Sequence, residues 1–226
     1  MSQTRVSHLA GVLLAVLNRV LDQRGLLPAR DGAQLAQRLA AHPTKVFAYD
    51  GVERGILRNA DPDGQKEEYS AKKSPSPKKT TPCATIRSSC TTAHRPNPGG
   101  STIKKIADEY PLHLPVGSVL RQDLGLLGHR QTGVVVEMPH KKPPKRELTF
   151  SQKLYNQLLS PLRVVIEHVH RGIKRLRMVK DPLRIRSEWF CDTVLVVACG
   201  LHNLRVRSPH RVYLACERVK LANYCA

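Results

Sequence analysis

Apolar positions along the chain follow helical spacing in some stretches and strand alternation in others. Leu9, Val12, Leu13, Val16, Leu17, Val20 and Leu21 recur at i, i+3, i+4, which predicts an amphipathic helix over 8–23 that Gly25 breaks. A second helix is expected over 31–41, with Asp31 as its cap and Pro43 at its end. The pair reads as packing helices, with a DNA-reading helical hairpin as the alternative. "KVFAYDGVE", 45–53, reads as a short strand ending at Asp50-Gly51, and the polar stretch 54–70 holds a "DPDGQ" turn. A helix over 101–109 leads to a strand, "GSVLRQD", that ends at Asp123. "GVVVEM", 133–138, is a further strand, and "PHKKPPKRE" is a basic loop. "LTFSQKLYNQLLS" is helical, with Thr149 as cap. Ser160-Pro161 reads as the start of a separate helix running to 178, since a Pro in the first turn loses no hydrogen bond. A last helix covers 184–203, and the tail beyond 208 has some strand character.

The stretch 71–100 differs in kind. It is rich in Ser, Thr, Pro and Lys, lacks apolar periodicity, and has no acid anywhere between Glu68 and Asp108. By composition it is a basic disordered linker. The organisation expected is a helical segment over 1–44, a main domain over 45–205 with a basic insert at 71–103, and a tail over 206–226.

Charge narrows the partner. The formal net charge is +19, from 37 Lys and Arg against 18 Asp and Glu, in a chain of 226 residues that is 41% hydrophobic. That balance points to a polyanion, most often nucleic acid. No two of Cys83, Cys90, Cys191, Cys199, Cys216 and Cys225 have CxxC spacing, and none forms a zinc-finger pattern with His. They read as thiols in a reducing compartment. The apolar run "LAGVLLAVL" is short for a membrane span and is followed by Asn18 and Arg19, so a cytoplasmic protein is expected.

"RVVIEHVHRGIKRLR", 163–177, carries one acid, Glu167, among five Arg or Lys and two His. Leu162, Val165, Val169, Ile173 and Leu176 form a stripe for the core. Arg163, Glu167, Arg171 and Lys174 share another face. A surface salt bridge is the plain reading of Glu167. The other is chemical. Such a basic face binds phosphate, and Glu167 would repel that phosphate unless a divalent metal bridged the two. Asp50 and Asp123, each at a strand end, supply further hard oxygen donors, and the three together suit a pair of Mg2+ ions.

Four stretches resemble the catalytic region of DDE-type transposases from bacterial insertion sequences, a group that includes the Harbinger-like enzymes. "DGVERGILRNADPDGQKEEYSAKK" is similar to the family's first-Asp block, and "GSVLRQDLGLLGH" to its second. "LTFSQKLYNQLLSPLRVVIEHVHRGIKRLR" resembles the third block, in which Arg, three residues, Glu, six residues and Lys correspond to Arg163, Glu167 and Lys174. "GLHNLRVR" resembles the closing segment. The resemblance covers 45–205. It implies an α/β, RNase H-like fold, a mixed sheet with flanking helices. It implies Asp50, Asp123 and Glu167 as catalytic metal ligands for two Mg2+ or Mn2+ ions. Arg163, Arg171, Lys174 and Arg175 are the implied DNA contacts, and the partners are DNA, at element ends and target, and further copies of the chain.

The sequence departs from the pattern at Val52, where Thr is usual, and at Leu126, where Tyr is usual. Residues 74–103 match nothing, although the family has a β-hairpin there and a His-Asp pair after it. The expectation is a core disrupted at the hairpin, produced by two compensating frameshifts, and hence an inactive or truncated copy. A non-catalytic basic nucleic-acid binder is the alternative. A metal-independent hydrolase has no supporting motif; His168 and His170, two apart on a helix, point in different directions.

Overall fold

A computed structural model describes residues 2–40, 46–55, 60–63, 78–86, 89–93, 103–183 and 187–208. Its centre is a five-stranded mixed sheet of β1 (Val46–Gly55), β2 (Lys78–Ile86), β3 (Ser89–Ala93), β4 (Val119–Gln122) and β5 (Val135–Glu137). The spatial order is β3-β2-β1-β4-β5. β2 runs antiparallel to β1 and to β3, while β1, β4 and β5 run parallel. Strand alternation sorts the side chains of β1. Phe47 and Tyr49 are buried on one face with Leu120, Leu112 and Leu126. Val52 is buried on the other, with Val169, Ile173 and Leu195.

Among the described residues, six α-helices flank the sheet: α1 (Gln3–Gln23), α2 (Gly32–Ala40), α3 (Ile103–Glu109), α4 (Phe150–Lys174), α5 (Arg177–Lys180) and α6 (Glu188–Arg207). α6 is buried continuously from Val194 to Gly200 and forms the spine on which α1 and α4 rest. Glycine permits the close approach. A Cβ on Gly200 would lie 2.9 Å from Leu27 and 3.0 Å from Leu21, and one on Gly172 of α4 would strike the His202 ring.

The sheet edge at β3 is covered. Ala29 donates its N–H to Thr91 O at 2.8 Å and accepts from Ala93 N at 3.2 Å. The buried Asn203 side chain donates to Cys90 O and to Leu26 O, both at 2.8 Å, and accepts from Cys90 N at 2.8 Å. A strand edge satisfied in this way offers no ladder to another chain.

Three expectations need correction. The stretch 71–103 is not a disordered linker throughout, since 78–86 and 89–93 pair as the hairpin beside β1. The core is therefore not disrupted there, and the frameshift reading loses the missing strands, one of the two absences on which it rested. The misleading feature was Thr. "KKTTPCATI" looks polar, yet Thr80, Thr81, Thr85 and Ile86 are β-branched and favour strands. Pro82 lies just outside the β2–β3 pairing, which begins at Cys83, so its missing N–H removes no ladder bond on that side. Residues 71–77, 87–88 and 94–102 lie outside the described residues.

Second, Ser160-Pro161 starts no new helix; α4 runs unbroken through Pro161. Its start is fixed by a capping box, in which Thr149 and Gln152 exchange side-chain and backbone bonds. Buried Leu159 before the proline and Ile166 after it keep both halves on the core. Pro161 is exposed, so water can satisfy the carbonyl that its missing N–H leaves free. Third, the apolar positions of α1 divide between two sides. Leu14 and Leu21 are buried, with Leu17 packed beside them, whereas Leu9, Val12, Leu13, Val16 and Val20 are exposed.

Candidate active site

The parallel ladder between β1 and β4 runs from the Val46–Val119 pair to the Tyr49–Gln122 pair. The next residues are Asp50 and Asp123. Where the ladder ends, two aspartates therefore leave adjacent strands side by side. Asp123 ends its strand as expected. Asp50 does not, because β1 continues to Gly55 on β2; it marks only the end of pairing with β4. Each carboxylate is held by the next backbone N–H. Asp50 Oδ1 accepts from Gly51 at 2.7 Å. Asp123 Oδ1 accepts from Leu124 at 2.6 Å, capping the short 3-10 turn Leu124–Leu126.

The third acid comes from α4. Ile166, Val169 and Ile173 are buried and orient the helix, leaving Glu167 on the adjoining strip that faces the strand ends. Asp50, Asp123, Glu167 and Arg163 line one cleft of ≈ 60 Å³, with Ile166 and Gln122 among its walls. Such a space admits a few waters or a small ion between the carboxylates.

The charges interlock across this cleft. Arg163 Nη2 reaches Asp123 Oδ1 at 3.1 Å, and among the described residues Glu167 forms no ion pair. The local helix salt bridge that would make Glu167 ordinary is thus not formed. Burial raises the Asp50 carboxyl above its ordinary value, and the charges of Asp123 and Glu167 raise it further. The Gly51 N–H and Arg163 pull it down.

His170 also belongs here. It lies three residues after Glu167, on the same helix face, with Nδ1 3.9 Å from Asp50 Oδ2. Its Nε2 is buried without a hydrogen-bond partner. Burial, and then the charge of Lys174, lower its pKa to about 4, so the ring is neutral at neutral pH. The i+3 spacing from Glu167 was the signal that could have identified it. Arg171 and Arg175 are exposed and Lys174 half-buried along the last turn of α4. Of the four proposed DNA contacts, only Arg163 enters the cleft wall.

Among the described residues, no group of three or more His, Cys, Asp or Glu is arranged to hold a metal ion. The donor set has the right chemistry for one. Three hard carboxylates meet in one cleft, two of them disfavouring ionisation of the third, and a divalent cation relieves that repulsion.

Over 81 residues the chain is 37% identical to the probable transposase for insertion sequence element IS702 of Microchaete diplosiphon, a match covering 36% of this chain and 29% of that protein. No solved structure matches significantly. The DDE superfamily endonuclease family matches residues 49–203, which is most of the chain and includes all three cleft acids. The chain belongs to the DDE superfamily endonucleases, the family of DDE-type transposases.

Proposed function

We propose that this chain is the catalytic region of a transposase, which cleaves and joins DNA phosphodiesters at insertion-sequence ends on an RNase H-like core. The observation that carries the reading is the meeting of Asp50, Asp123 and Glu167, from three separate elements, in one cleft beside Arg163. The sheet order, with β1 central between an antiparallel hairpin and two parallel strands, supports the fold.

Asp50, Asp123 and Glu167 would hold two divalent ions, Mg2+ or Mn2+. Such ions supply Lewis-acid activation of the attacking hydroxyl and neutralise charge at the leaving oxygen. The chain's own part is positioning. The backbone N–H groups of Gly51 and Leu124 fix the two aspartates. Arg163 restrains Asp123 and can turn to a DNA phosphate when the cleft is loaded. Arg171, Lys174 and Arg175 continue the positive strip along α4, where a phosphate backbone crossing the cleft mouth would run. His170 stays neutral and so adds no positive charge of its own beside Asp50.

The test is nicking of DNA carrying insertion-sequence ends, in Mg2+ or Mn2+. Asp50→Ala, Asp123→Ala and Glu167→Ala are each expected to abolish cleavage, with salt-sensitive DNA binding retained. Cleavage surviving all three substitutions would sink the assignment. Binding without metal-dependent cleavage in the unsubstituted chain would favour the second reading, a non-catalytic nucleic-acid binder.

A further inference from the structure

α1 carries two apolar seams. Leu14, Leu17 and Leu21 form one, packed into the core with α6. The other is Val6, Leu9, Leu13, Val16 and Val20, each between 44% and 59% exposed, with Val12 beside them at 51%. The steps along this outer seam are three, four, three and four residues, the a/d spacing of a coiled coil over two heptads. We propose that α1 pairs through this seam with α1 of a second copy of the chain.

Three observations select a second copy as the occupant. The heptad spacing is self-complementary, so a two-fold axis brings the same stripe to both sides. From Val6 to Asn18 the helix carries no Lys, Arg, Asp or Glu, so two chains of net charge +19 can meet here without direct repulsion. The size is also adequate. Six half-exposed Val and Leu side chains offer on the order of 500 Å² per chain, and a pair buries about 1,000 Å², the lower bound for a specific interface.

α1 is also long and apolar enough, over Thr4–Gln23, to cross a membrane. Its inner seam argues for the protein partner, since crossing a membrane would strip Leu14 and Leu21 from α6. The proposal is independent of the transposase reading, because pairing requires neither the cleft nor DNA.

The experiment is light scattering of the purified full chain at micromolar concentration, in high salt without DNA. The expected mass is twice 25.3 kDa. Leu9→Lys with Leu13→Lys places charges on the seam and is expected to raise the dissociation constant about 100-fold or more. The helical signal in circular dichroism should not change, because both positions are exposed. Leu9→Ala with Leu13→Ala is the milder control and should weaken the dimer less. A monomeric unsubstituted chain overturns the proposal, and one that also sediments with phosphatidylglycerol vesicles assigns the seam to lipid. A dimer indifferent to both pairs of substitutions overturns it too, since the contact then lies elsewhere.

Discussion

At the scale of single residues, the cleft holds two groups whose ionisation responds to burial with opposite signs. Asp50 is raised from 3.8, so the folded state holds its proton more tightly than the unfolded chain does. Stability contributed by this group is present at low pH and declines as pH rises through the folded value. Asp50→Asn is therefore expected to raise the melting temperature at neutral pH, a gain that vanishes below the ordinary carboxylate range. A melting series against pH checks it. His170 is lowered from 6.5 to about 4, so the folded state refuses a proton that the unfolded chain accepts. Its contribution is complete above 6.5 and is lost as pH falls towards 4, a difference of about 3 kcal/mol by linkage. His170→Phe should flatten that acid limb in denaturant titrations at several pH values. Asp50 lies 3.9 Å from the ring, Lys174 acts on it through charge, and Asp50 is itself shifted upward, so the comparison belongs in an Asp50→Asn background as well.

At the scale of elements, the helices were legible because burial follows 3.6-residue periodicity, and the strands were legible where Val, Ile, Leu and Phe alternate. The three acids were legible through motif spacing, which records the geometry of a ladder end and a helix face. The β2–β3 hairpin was not, because its strand-forming residues are threonines among lysines, and composition reads those as solvent-loving. The continuity of α4 was missed for the converse reason. Pro161 is a strong local signal, overruled by packing on both sides of it. His170 went unread because its meaning depends on Asp50, far away in sequence. The hairpin also depends on a distant element, the Asn203 side chain of α6. Asn203→Ala removes the buried hydrogen bonds that its side chain makes to Cys90 and Leu26 and should cost about 3 kcal/mol or more. Amide exchange at Cys90 should accelerate well beyond that of β1; protection of Cys90 equal to the unsubstituted chain would refute this.

At the scale of the molecule, a net charge of +19 sets the reach of the cleft. On the proposed function, the exposed basic strip on α4 would bind phosphate by releasing counterions, so DNA affinity should fall linearly in log–log form with salt, losing roughly one unit of slope for each phosphate contact removed. Arg171→Ala with Arg175→Ala should reduce that slope by about two, measured by fluorescence anisotropy across a salt series. An unchanged slope would place the DNA path on another face.

The packing of α1 against α6 also bears on biosynthesis. Leu21 seats on Gly200, and Asn203 ties β3 and the α1–α2 connection to the same helix. A nascent chain leaving the ribosome therefore has its first helix ready long before the helix that receives it exists. Contacts of such sequence separation form slowly. Until translation has passed Arg207, the acids at 50, 123 and 167 sit on a scaffold without its spine, and DNA near the polysome meets a basic polypeptide before it meets an assembled cleft.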